Sequence, residues 1–95
     1  MSQRVCVILS GCGYLDGSEI HEAVLALAAI EQNGGSWHCC APDVALEVID
    51  HRTGEPSGET RNALTEAARI ARGKIEDLAA VVAADYDVLV LPGGF

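Results

Sequence analysis

The sequence predicts an α/β domain built on a parallel sheet, and three observations carry that expectation. Two short, nearly continuous apolar runs, residues 4–9 (RVCVIL) and 87–91 (DVLVL), read as strands buried on both faces. Between the first run and a long helical pattern lies SGCGYLDGSEIHE, residues 10–22, whose glycines suit a tight loop at the end of a strand. The third is composition: half of the 95 residues are hydrophobic, yet there are only one Trp, one Phe and two Tyr. The core must therefore come from Val, Ile, Leu and Ala, as in sheets covered by helices.

Taken in order, Arg4 to Leu9 forms the first strand. Asp16 or Ser18 is expected to cap the helix that follows, Asp16 and Glu19 having capping-box spacing, and Ile20, Ala23, Val24, Leu27 and Ile30 recur on one helical face. Asn33, Gly34 and Gly35 should end it. Trp37 to Ala41 resumes strand character, which completes a right-handed βαβ unit. Val44 to Ile49 reads as a short edge strand, and Asp50 to Gly58 as an exposed loop.

A second helix is expected from a Thr60 cap, with Leu64, Ala67, Ala68 and Ala71 on one stripe and Arg72 and Gly73 closing it. Ile75, Leu78, Ala79 and Val82, at i, i+3, i+4 and i+7, predict a third. The strand 87–91 then runs into Pro92, Gly93, Gly94 and Phe95. Three strands and three helices leave a parallel edge uncovered, so residues 1–95 are expected to form the front part of one larger domain, truncated after a core strand.

A formal charge of −8, with the few Lys and Arg scattered, argues against nucleic-acid partners. No apolar run approaches the roughly 20 residues of a membrane span. The N-terminus enters a strand at once with no targeting pattern, so a cytoplasmic setting is expected. Cys6, Cys12, Cys39 and Cys40 fit no CxxC framework and are read as reduced thiols.

Glu22, about one turn into the first helix, is close enough to the strand ends to reach a cleft there and act as general acid or base. On position alone, a solvated first-turn glutamate is the preferred reading. Cys12, in a loop at a helix start, is the tempting nucleophile, but a lone cysteine with no CxxxxxR cradle is weak support. His21 is expected to face solvent. His38, Cys39 and Cys40 are adjacent on a strand, point to alternate faces and so make no metal site. Gly93 and Gly94 offer backbone N–H groups of the kind an oxyanion hole uses, although PGG is also a common turn.

The segments VILSGCGYLDGSEIHEAVLAL, APD, VIDHRTGEP, ETRNALTEAARIARGKI and VLVLPGGF resemble the glyoxalase ElbB family, relatives of the mitochondrial ES1-type proteins within the class I glutamine amidotransferase-like superfamily. The resemblance runs through essentially the whole chain. It implies a flavodoxin-like three-layer α/β/α sandwich, usually a homodimer, and cofactor-independent conversion of glyoxal or a related 2-oxoaldehyde to a 2-hydroxy acid through a cysteine nucleophile. It also implies Glu22 as the general acid or base and Gly93 and Gly94 as backbone donors to the substrate oxygen. The nucleophilic cysteine of the family is expected beyond Phe95, so the isolated chain is expected to be inactive. Two other readings stand beside this one: a module binding phosphate or flavin at the loop from Ser10 to Ser18, and a non-catalytic regulator of isoprenoid metabolism.

Overall fold

The computed structural model describes residues 3–94; Phe95, the last residue of the PGGF segment, lies outside the described residues. Four strands, β1 (Arg4–Ile8), β2 (Ser36–Ala41), β5 (Ile75–Asp77) and β6 (Val88–Val90), form one parallel sheet in the order β5-β2-β1-β6. Two more, β3 (Ala45–Asp50) and β4 (Glu55–Asn62), pair antiparallel as a separate hairpin. Helices α1 (Ile20–Gln32) and α2 (Ala63–Ala71) follow β1 and β4.

The alternation of the strands sorts the core. Val5, Val7 and Leu9 of the first strand segment, with Cys39 and Ala41 of β2, pack against Ala23 and Leu27 of α1 and Ala67 and Ala71 of α2. Both helices thus cover one face of the sheet. Small alanines on their buried stripes let the backbones come close, which is how a chain poor in aromatics fills its core. The opposite face carries Cys6 and Cys40, whose sulfurs are 3.7 Å apart, and His38, whose ring lies 5.6 Å from that of Tyr86. Leu89 on that face is 57% exposed.

The parallel sheet and its crossover helices agree with the expected α/β class, and several element assignments are corrected. The N-cap of α1 is Glu19, not Asp16 or Ser18; its carboxylate accepts from the backbone N–H groups of His21 (2.8 Å) and Glu22 (3.4 Å). Helix α2 is capped by Asn62, whose Oδ1 accepts from the Thr65 N–H at 2.8 Å, and Thr60 lies within β4. The exposed loop expected from Asp50 to Gly58 is only a turn, closed by the Gly54 N–H on the Asp50 carbonyl at 2.7 Å, before the chain returns as β4.

No third α-helix forms. Ile75 to Asp77 is taken into the sheet as β5 beside Cys39–Ala41, and Leu78–Ala80 and Ala83–Asp85 make single 3-10 turns. Pairing with an exposed edge of β2 satisfies main-chain groups that the helical spacing alone would have paired locally. Among the described residues no helix is long and apolar enough to cross a membrane.

Candidate functional site

The strand order places a reversal at β1. From β1 the chain moves out to β2 and then β5, and it returns across the sheet to add β6 on the other side of β1. Crevices for ligands open at such a switch point, outside the carboxyl ends of the strands. Here a crevice of about 310 Å³ lies at that place, between Leu9 and Ser10 after β1, Gly17 and Ser18 of the glycine loop, and Pro92 to Gly94 after β6. A larger concavity of about 670 Å³ at the other end of the strands is lined by Gln3, Asn33 and apolar residues and holds no titratable side chain.

The walls of the crevice are held by main-chain hydrogen bonds. Ser18 N–H donates to the Ser10 carbonyl at 2.7 Å, Ser10 N–H donates to the Ser18 hydroxyl oxygen at 2.9 Å, and Gly13 N–H donates to the Ser18 carbonyl at 2.9 Å. The loop is pinned to α2 by Gly11 N–H on the Ala63 carbonyl at 3.0 Å, with Gly11 in the left-handed region at φ 70°. It is pinned to the hairpin by Asp16, whose Oδ2 accepts from the Ile49 N–H at 2.9 Å. Glu19 N–H donates to the Gly93 carbonyl at 2.7 Å, and Gly94 stands opposite Ser18 in an isolated antiparallel bridge. Gly94, at φ 129°, lies so close to the Gly17 carbonyl that no side chain fits there.

This latch brings Glu22 and Gly93 together. A Cβ placed on Gly93 would stand 2.7 and 2.8 Å from the two carboxylate oxygens of Glu22, so the acid lies directly against the PGG backbone. Glu22 is exposed. Two of the three elements that the sequence singled out, the first helix turn and the PGG segment, therefore meet in space. Cys12 does not join them: it lines a small cavity with Asp16, Leu46, Val48, Arg61 and Glu66. Burial pushes its thiol up from the ordinary value; Arg69 pulls the other way, and Glu66 and Asp16 add to the rise. A thiol held protonated is a poor nucleophile at neutral pH.

His21 is a surface residue, its side chain 91% exposed and its Nδ1 2.9 Å from Glu19 Oε1. Cys39 and Cys40 point to opposite faces as expected, and burial raises the Cys39 thiol to about 11. Among the described residues no group of three His, Cys, Asp or Glu side chains could hold a metal ion. The N–H groups a phosphate would use at the start of α1 already meet the Glu19 carboxylate. Sequence reasoning missed Ser18 as a buried link and Asp16 as the tie to the hairpin, because both act through loop geometry that no periodicity signals.

No family model matches the chain. It is 55% identical over 94 residues to the human glutamine amidotransferase-like class 1 domain-containing protein 3, mitochondrial, covering 97% of this chain and 35% of that protein. It is 54% identical over 94 residues to the rat ES1 protein homolog, mitochondrial, again covering 97% of this chain and 35% of the relative. The zebrafish ES1 protein, mitochondrial, is 34% identical over 97 residues, with 96% of this chain and 36% of the relative covered. The crystal structure of an isoprenoid biosynthesis protein with amidotransferase-like domain from Ehrlichia chaffeensis superposes with a TM-score of 0.93 at 44% identity, over 96% of this chain and 44% of that one. The chain thus spans about a third of the length of the curated relatives it matches. The cytoplasmic expectation is overturned by these relatives, all three of which are named as mitochondrial proteins. Its basis, the look of the first residues, carries no address that a domain's fold or composition would record.

Proposed function

Because this chain is homologous to ES1-type, glutamine amidotransferase-like class 1 proteins and shares the fold of an isoprenoid biosynthesis protein with an amidotransferase-like domain, we propose that it supplies the acid-bearing part of a glyoxalase site. The observation that carries this reading is the seating of the Glu22 carboxylate against Gly93, a residue that lines the switch-point crevice. The nucleophilic thiol comes from outside these 95 residues, since Cys12 faces another cavity and Cys6, Cys39 and Cys40 are buried in the sheet.

In the proposed chemistry a cysteine thiolate adds to one carbonyl carbon of a 2-oxoaldehyde and forms a C–S bond. Glu22 takes the proton from that carbon and returns it to the neighbouring carbon, while backbone N–H groups of Gly93 and Gly94 steady the developing oxyanion. The resulting thioester is cleaved by water, which releases the thiolate and a 2-hydroxy acid. Glyoxal plus water becomes glycolic acid, so the reaction is redox-balanced within the substrate. The longer form works as a homodimer in this reading, which sedimentation of such a form would refute by showing a monomer.

The test is complementation. The chain is mixed with the part of the Ehrlichia chaffeensis protein that lies outside the matched segment, and glycolate is measured after adding glyoxal. Turnover is expected only from the pair, and Glu22→Gln is expected to lower it at least a hundredfold with assembly unchanged. Glycolate formed by the 95-residue chain alone would overturn the placement of the thiol and promote Cys12. Undiminished turnover by Glu22→Gln would remove that residue's role. Heat on titrating the chain with flavin mononucleotide or phosphate would favour a binding module instead.

A further inference from the structure

Ser18 is the buried polar residue at the centre of the latch, 5% exposed among the described residues, and it borders the crevice between Ser10, Gly17 and Gly94. Three of its four hydrogen-bonding functions are committed: N–H to the Ser10 carbonyl, carbonyl to the Gly13 N–H, and hydroxyl oxygen to the Ser10 N–H. Because that last bond comes from a backbone donor, the hydroxyl acts there as acceptor and keeps its own proton to give. Among the described residues no acceptor takes it. A buried hydroxyl whose donor function is unused by the described residues, on the wall of a crevice, suits an oxygen from a ligand.

The charge of the surroundings restricts which oxygen. Glu22 lies against Gly93, the Glu19 carboxylate caps the same helix, and the chain as a whole is at −8. No Lys or Arg lines the crevice. A carboxylate or phosphate ligand would meet like charge there without a cation to offset it. A neutral carbonyl oxygen meets no such penalty and accepts well from a hydroxyl.

We propose that Ser18 is a substrate-binding residue whose hydroxyl donates to the carbonyl oxygen of a small uncharged carbonyl compound, seated between the glycine loop and the PGG segment. The assignment rests on the glyoxalase reading for the identity of the site, and it adds the donor and the exclusion of anionic substrates. Ser18 also holds the Ser10 N–H, so the seat is already shaped before the ligand arrives.

The test uses the 15N-labelled 95-residue chain and hydroxyacetone, a neutral carbonyl compound that does not turn over, with acetate as the anionic control. Hydroxyacetone is expected to shift the amide signals of Ser10, Ser18 and Gly94 in a saturable way, and acetate is expected to leave them in place at equal concentration. Ser18→Ala should weaken hydroxyacetone at least fivefold, with Ser18→Thr, which keeps the hydroxyl, restoring binding to within about threefold. If Ser18→Ala fails to fold, the wild-type shift map decides: signals moving only elsewhere, or none moving, overturn the proposal. Tighter binding of acetate than of hydroxyacetone also overturns it. Saturable, Ser18-dependent binding together with no turnover by the complemented pair would leave this site standing and remove the glyoxalase reading.

Discussion

The Glu22 carboxylate rests on the Cα of Gly93, with both oxygens within 2.8 Å of where a methyl group at that position would be. The contact joins the first turn of α1 to the segment after β6, and the Glu19 N–H on the Gly93 carbonyl holds the two in register at 2.7 Å. A side chain on either glycine of the pair tests how the arrangement is made.

Gly93→Ala places its methyl against the end of a flexible glutamate, and Gly93 is not among the described glycines with positive φ. Stability is expected to change by less than about 1 kcal/mol in urea unfolding, while turnover by the complemented pair drops at least tenfold because Glu22 is pushed aside. Gly94→Ala meets the rigid Gly17 carbonyl at φ 129°, and the loss of stability is expected to be about 1–3 kcal/mol or more. Equal stabilities for the two variants would refute the distinction.

Asp16 is the second joint. Its side chain is 9% exposed, Oδ2 accepts from the Ile49 N–H, and Oδ1 lies 3.5 Å from His51 Nε2. Asp16→Ala leaves the Ile49 N–H without its acceptor, an expected cost of about 1–3 kcal/mol. Hydrogen exchange at the Ile49 amide should speed up more than exchange in β1; uniform acceleration would show a merely global effect.

The buried thiols set an alkaline limit. Burial lifts Cys39 from 9.0 to about 11, and burial, with the neighbouring Cys6, also raises Cys40. A folded value above the unfolded one means that the folded chain keeps protons the unfolded chain has lost. The stability these thiols contribute is therefore expected to be constant below about pH 9 and to be lost as the pH rises from 9 to 11, through the interval bounded by the two Cys39 values. Alkylation at pH 8 should reach Cys12 slowly and leave Cys39 and Cys40 until unfolding; prompt alkylation of all four would contradict the fold.

Arg72 closes α2 in the left-handed region at φ 56°, ψ 42°. Relief of that strain by Arg72→Gly, offset in part by the greater entropy of an unfolded glycine, is expected to stabilise the chain by about 0.5–1 kcal/mol. A drop in the urea midpoint would mean that the arginine side chain does more than end the helix.

The parallel sheet and α1 were legible in the sequence because their signals are local and redundant: Val5, Cys6, Val7 and Leu9 are buried in one nearly continuous apolar run, and Ala23 and Leu27 recur at helical spacing. Strand β4 was not. Its residues Glu55 to Arg61 are exposed, carry Pro56 and Gly58, and take extended form only because β3 lies beside them. The third helix failed for the converse reason, a helical spacing from Ile75 to Val82 that lost to the free edge of β2. At the site, Glu22 could be placed near the strand ends by counting turns. Its contact with Gly93, and the roles of Ser18 and Asp16, depend on a loop path set by hydrogen bonds between distant segments, which no spacing records.

The Glu19 to Gly93 hydrogen bond and the Ser18 to Gly94 bridge join the first loop of the sheet to the last described residues. Like the pairing of β6 with β1, these contacts join segments far apart along the chain, so closing them costs more loop entropy than the local contacts of β1, α1 and β2 and comes after those have assembled. The crevice is therefore expected to mature late in refolding, together with the docking of β6, and to open under mild denaturant while β1, α1 and β2 are still assembled.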